Sequence, residues 1–136
     1  MEHYQTQTSR LTGTNYKEIY KKAINIYRNI CRKTKRRAYI RSTYFKKSKI
    51  FLGPFWQHLE DKFSNNDKAR RLKYYACALE IIEKSKINPT SKENIDKPSE
   101  IFHRFGGITR DQKSFYVQIK EDKRNGEKYL ISIFPI

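Results

Sequence analysis

The last third of the chain alternates apolar and polar residues in three short runs, Ile101 to Ile108, Ser114 to Lys120 and Lys128 to Phe134, divided by turn-forming segments. Alternation of that kind commits a segment to half-buried strands, and short turns between them make an antiparallel meander. The first half carries a different period. Tyr16, Ile19, Tyr20, Ala23, Ile26, Tyr27, Ile30 and Cys31 form the i, i+3, i+4, i+7 stripe of an amphipathic helix. Asn15, with Glu18 three residues on, resembles a capping box at its start. Together the two periods predict an α+β fold, with N-terminal helices packed on one face of a small C-terminal antiparallel β-meander.

Between these halves, Lys49 to Leu52 reads as a strand or extended entry. Gly53-Pro54 ends it and opens a helix from Phe55 to about Phe63, Pro54 being suited to a first helical turn. Asn66 or Asp67 caps a second long helix, marked by Leu72, Tyr75, Ala76, Leu79 and Ile82 and ending near Lys84. Residues 1–14 read as a loose arm and residues 85–99 as a polar connector. Residues 15–136 are then one domain: a basic helix over 15–37, an extended segment and helices over 38–84, and the meander over 100–135. The length of 136 residues can bury a core, and an aromatic share of 14% argues against disorder.

The turns fix which residues share a face. A three-residue loop Arg124-Asn125-Gly126, with Gly126 left-handed, pairs Lys123 with Glu127, Asp122 with Lys128, Ile119 with Ile131 and Val117 with Ile133. A two-residue loop at Asn125-Gly126 would set Lys123 against Lys128, so charge and pattern both favour the longer loop. The buried face is then Phe115, Val117, Ile119, Ile131 and Ile133. The open face carries Tyr116, Gln118, Lys120, Leu130, Ser132 and Phe134. A three-residue loop before the middle strand adds Arg104 to the open face and turns His103 inward; a two-residue loop exchanges them.

Charge is distributed unevenly. Residues 1–50 hold 14 Lys and Arg against 2 Asp and Glu, whereas residues 51–136 hold 16 against 12. The densest run is Arg32, Lys33, Lys35, Arg36 and Arg37, with Arg41 close behind. A phosphate backbone is the common neutraliser of such a cluster, the competing reading being a solvated basic arm. Arg70 and Arg71 open the predicted second helix against its dipole, and Tyr116 and Gln118 lie on the open face; these complete the expected nucleic-acid contacts. Cys31 and Cys77 show no metal-ligand spacing and read as small hydrophobes in helices, which fits a reducing compartment. No metal or cofactor is expected. No apolar run spans a membrane and Met1-Glu2-His3-Tyr4 does not open a signal peptide, so the expectation is a cytoplasmic protein without a membrane partner.

No phosphate-cradling glycine loop, nucleophile elbow or HExxH sequence occurs. What remains on the open face can cleave RNA without a metal, because the ribose 2′-hydroxyl is the nucleophile and the protein supplies a base, an acid and cations. Arg104 and Lys120 are the expected phosphate stabilisers, Ser132 a hydroxyl beside them, and His58 the group for proton transfer. The non-catalytic alternatives are an RNA- or ribosome-binding protein and a basic module for an acidic partner such as an antitoxin.

The helix Phe55-Trp56-Gln57-His58-Leu59, the helix around Arg70-Arg71-Leu72-Lys73-Tyr74-Tyr75-Ala76-Cys77, and the meander from Phe102-His103-Arg104-Phe105 to Ile131-Ser132-Ile133-Phe134-Pro135 resemble the small RelE/barnase-type RNases. The resemblance is nearest the phage-borne group of barnase, EndoU, colicin-type and RelE-like nucleases. It covers Lys49 to Lys84 and Phe102 to Pro135. It implies a toxin-like or mobile-element endoribonuclease acting on RNA, tRNA and ribosomal RNA included, with His58 as the helix histidine and Ser132 as the last-strand hydroxyl. Where the family often has a second histidine, this chain has Asp61, Lys62 and Phe63.

Overall fold

The computed structural model describes residues 2–136, apart from the side chain of Lys62. In chain order the elements are β1 (His3–Gln5), α1 (Tyr16–Lys33), β2 (Tyr39–Ser42), β3 (Ser48–Phe51), α2 (Gly53–Lys62), α3 (Asn65–Leu72), α4 (Tyr75–Lys84), β4 (Thr90–Asn94), β5 (Lys97–Ile108), β6 (Ser114–Asp122) and β7 (Lys128–Pro135). The fold is α+β, as the two periods predict. The strands form one seven-stranded curled sheet in the order β1-β5-β6-β7-β3-β2, with β4 also on β5. The meander is its centre rather than its whole. β1 joins β5 in parallel and β3 joins β7 in parallel, while β2 pairs antiparallel with β3.

The helix starts follow local chemistry. Asn15 Oδ1 accepts from the Glu18 amide at 2.9 Å, the first arm of a capping box, while the Glu18 carboxylate reaches back past the cap to the Thr14 amide. Pro54 sits in the first turn of α2. The expected single helix to Lys84 is instead two, and its cap is Ser64, whose hydroxyl accepts from the Asp67 amide. The apolar stripe continues through the break, which tertiary contacts impose. Leu11 donates its amide to the Lys73 carbonyl at 2.8 Å, and the Tyr74 ring packs on Phe115 at 4.8 Å. Tyr74 accordingly leaves helical geometry, at φ −94° and ψ 5°.

Two further segments differ from expectation. Within the supposedly loose 1–14 arm, β1 pairs with Gly106 to Ile108, and Glu80 on α4 accepts from Tyr4 Oη (2.8 Å), Gln7 N (2.9 Å) and Thr8 N (2.8 Å). Within the supposed connector, β4 and the start of β5 form an antiparallel pair. Four of the five β4 residues are exposed, so it lacks the alternation that would have marked it.

The core lies on one face of the sheet. Phe55, Trp56, Leu59, Tyr75, Ala78 and Ile81 from α2 and α4 meet Ile50, Val117, Ile119, Leu130 and Ile133. Aromatic packing joins three helices there: Trp56 touches Tyr20, Tyr27, Phe55 and Tyr75 at 5.2–5.8 Å, and its indole N–H donates to Tyr75 Oη. Gly107 lets α4 approach, since a Cβ there would lie 2.4 Å from Ile81 Cδ1.

Val117 pairs with Ile133 and Gln118 with Ser132, the expected register. Nearer the turn the pairing slips by one, to Ile119 with Leu130 and Glu121 with Lys128, through a bulge at Ile131. Gly126 is left-handed, at φ 75°, but Asp122 donates its amide to the Glu127 carbonyl at 2.9 Å, so the loop is the four residues Lys123 to Gly126 and the expected Lys123–Glu127 and Asp122–Lys128 pairs do not form. The slip reverses two assignments: Leu130, expected on the open face, is fully buried, and Ile131 is only half-buried. Truncating Leu130 to alanine should therefore cost about 2–5 kcal/mol in denaturant unfolding, and Ile131→Ala well under half of that. The Glu80 carboxyl, which burial alone would raise, is held below its usual range by the donors from Thr8, Gln7 and Tyr4. Its folded value is depressed, so its stabilisation is complete above the unfolded value of about 4.3 and is lost as pH falls through the folded value. Glu80→Gln should cost about 1–3 kcal/mol at neutral pH and flatten this acid limb of the stability curve.

Candidate nucleic-acid interface

Register places side chains of six strands in one row on the uncovered face. Tyr39 lies opposite Phe51, Phe51 opposite Tyr129, Tyr129 opposite Lys120, Lys120 opposite Phe102 and Phe102 opposite Lys92. A second row is Ser132, Gln118, Arg104 and Thr90, and a third is Phe134, Tyr116, Gly106 and His3. With strands about 4.8 Å apart, the first row is about 24 Å long. Thr90, Lys92, Phe102, Arg104, Tyr116 and Gln118 line a groove of about 400 Å³ on this face.

Cations cover the rings along these rows. Arg37 lies 3.7 Å from the Phe51 centroid, Lys49 and Arg41 lie 4.6 and 5.5 Å from Tyr39, and Lys120 lies 5.5 Å from Tyr129. Arg104 sits 5.5 Å from Tyr116 and 5.0 Å from Phe134. Such contacts set cationic charge against the electron-rich ring faces. The turn Arg110-Asp111-Gln112 determines that Arg104 is here. Thr109 and Lys113 close it with a 2.9 Å bond and Gln112 is left-handed, at φ 64°, which makes it the three-residue loop. Arg104 then pairs with Gln118 on the open face, its Nη2 donating to Oε1 at 3.2 Å. His103 turns inward between Ser91 Oγ (2.6 Å) and Glu121 Oε1 (2.8 Å).

The remaining expected residues fall into three groups. Ser132 is not open: it is 3% exposed, because Arg71 covers it. Arg71 Nη1 donates to Ser132 Oγ at 3.1 Å and to the Ile133 carbonyl at 2.7 Å, while its guanidinium lies on Phe63 at 3.7 Å. Burial pushes the Arg71 pKa down, and Arg70 adds to this against the opposing charge of Asp67. Phe134 thus has Arg104 and Arg71 on it, at 5.0 and 5.3 Å. His58 packs its ring on Phe63 at 5.6 Å, which sets it beside the Arg71 end of this cluster.

Lys120 is on the face but bridges to Glu100 at 3.4 Å. Burial alone would raise the Glu100 carboxyl; Asn94 and Lys120 bring it below its usual range. Arg32 and Lys33 end α1, and Lys35, Arg36 and Arg37 follow it, all exposed. Only Arg37 and Arg41 of the basic run reach the rows. Arg37 bridges to Glu127 at 2.5 Å, which raises its pKa. Arg70 is exposed beside Asp67, away from the rows. Cys31, expected among apolar neighbours, is exposed, whereas Cys77 is buried.

Tyr39, Phe51, Phe102 and Tyr129, with Lys92 and His3, are the residues that sequence reasoning missed on this face. Strand alternation could have placed Phe102 beside Arg104, but the β3–β7 pairing that brings in Phe51 and Tyr39 has no local signal. Among the described residues no group of His, Cys, Asp and Glu is arranged to hold a metal ion. No helix among them is long and apolar enough to cross a membrane. No family model matches the chain, and no curated protein or solved structure matches it.

If Arg71 closes the strand edge and seats Ser132, Arg71→Met should cost about 1–3 kcal/mol of stability, because the Ile133 carbonyl loses its donor. Ser132→Ala should cost less, and calorimetry of the two variants measures the difference.

Proposed function

We propose that this chain binds single-stranded RNA across the open face of its sheet and cleaves it without a metal. One observation carries the reading: the six-strand row Tyr39, Phe51, Tyr129, Lys120, Phe102, Lys92, in which rings alternate with or lie beneath cations. Rings offer stacking platforms to unpaired bases and the interleaved cations meet the phosphates, the combination by which single strands are held. A duplex, whose bases are stacked on one another, would leave the rings unused.

Cleavage is assigned to the Phe134 end. The 2′-oxygen attacks the neighbouring phosphorus, its proton passing to a base, and the bond to the 5′-oxygen breaks as that oxygen receives a proton. Arg104, oriented by Gln118, and Arg71, oriented by Ser132, supply charge to the phosphorane oxygens. His58 lies beside Arg71 through Phe63, and His3 lies at the other flank, 5.9 Å from the Tyr116 ring; imidazoles are the groups suited to the two proton transfers. A second reading, a non-catalytic RNA-binding protein, draws on a specific fact: Lys120 and Ser132 are both engaged with internal partners.

Stacking and charge are separable in solution. Phe102→Ala should weaken binding of a short single-stranded RNA about tenfold with no change in salt slope. Lys92→Ala should reduce the log–log slope by about 0.7. Equal losses from single-stranded and duplex RNA would oppose the reading. In EDTA the protein should generate ends bearing a cyclic phosphate, and Arg104→Ala should slow this by about 10²-fold or more while binding persists. Intact RNA after prolonged incubation would leave the binding function and remove the catalytic one.

A further inference from the structure

Phe51 and Tyr129 of the first row also line a cleft of about 240 Å³ between the last turns of α1, the 36–38 segment and the β3–α2 corner. Its walls are the rings of Tyr27, Phe51 and Tyr129, with Arg36, Arg37 and the exposed Cys31 at its rim. No Asp or Glu lines it. The volume is below the roughly 300–1,000 Å³ of sites for drug-sized ligands, and suits a single ring system. Phe51 and Tyr129 stand 6.0 Å apart with planes tilted by 37°, and the guanidinium of Arg37 lies over the Phe51 ring, 3.7 Å from its centroid.

We propose that this cleft receives one unpaired nucleobase of the bound RNA, flipped out of the strand that crosses the sheet. The inference rests on the RNA-binding reading above and adds to it the place where a base, as distinct from the backbone, is held. Flat aromatic and guanidinium surfaces accept any base by stacking. The Tyr27 hydroxyl and the Arg36 guanidinium supply polar groups for a base edge or the adjoining phosphate. Arg36 has a left-handed backbone, at φ 67°, and its side chain has the cleft beside it. The basic run, expected from the sequence to meet a phosphate backbone, would thus also act locally, with Arg36 and Arg37 at a binding pocket.

Two measurements test this. Gly53 forms part of the cleft and a Cβ there would lie 3.6 Å from Tyr27 Oη, ordinary contact, so Gly53→Leu fills the space without removing a ring or a charge. It should weaken a mixed-sequence single-stranded RNA about tenfold, with unchanged salt slope and unchanged affinity for an abasic oligomer of the same backbone. Independently, Cys31 of the wild-type protein should be alkylated readily by iodoacetamide, Cys77 staying buried. Saturating RNA should slow that alkylation about tenfold or more, and the abasic oligomer should not. RNA that binds but leaves Cys31 equally reactive overturns the pocket while the RNA reading stands, even where Gly53→Leu fails to fold. No RNA binding by the wild-type protein overturns both.

Discussion

Past Tyr129 the outer edge of β7 has no strand partner, because β3 pairs only as far as Lys128 and Tyr129. A strand edge left bare is both an energetic cost and a site for unwanted pairing. Arg71 answers it with one guanidinium nitrogen shared between the Ile133 carbonyl and the Ser132 hydroxyl. That contact also anchors α3 to the sheet and holds Phe63 at the close of α2. Because the guanidinium lies over Phe134 as well, the same side chain fixes one end of the uncovered face. Helix α3, the strand edge and the candidate site therefore share a residue.

The sequence was legible wherever a local rule decides the outcome. The Asn15 cap, the Pro54 helix start and the left-handed Gly126 all follow from chemistry within a few residues, whereas the facing of Arg104 stayed open between two loop lengths. It was illegible where distant segments decide. The break at Lys73 and Tyr74 depends on the amide of Leu11, and nothing in the helical stripe announces it. β4 is a polar edge strand, and β1 is three residues long, too short for any period to show. The Ile131 bulge exchanges two apolar residues, which no polarity pattern can distinguish.

Much of the candidate face was hidden for the same reason. Tyr116, Gln118 and Lys120 were readable from one hairpin pair, and Arg104 only as one of two alternatives with His103. The aromatic row was not, since it is made by register across six strands, two of them joined in parallel from separate parts of the chain. The basic run shows the opposite error: contiguous in sequence, it divides in space. Arg37 and Arg41 join the face, while Arg32, Lys33 and Lys35 remain on the outer surface around the end of α1.

The parallel pairings have a consequence for how the molecule assembles. His3 pairs opposite Gly106 and Ile50 opposite Lys128, so both outer parts of the sheet close over long stretches of chain. Contacts of such separation form late and slowly, since the loop entropy precedes the reward. During synthesis α1 can form early, but β1 must wait for β5, and β2 and β3 must wait for β7. The Tyr39–Lys92 row accordingly does not exist on any partial chain lacking β7: the ribosome has to release nearly the whole domain before the face is complete.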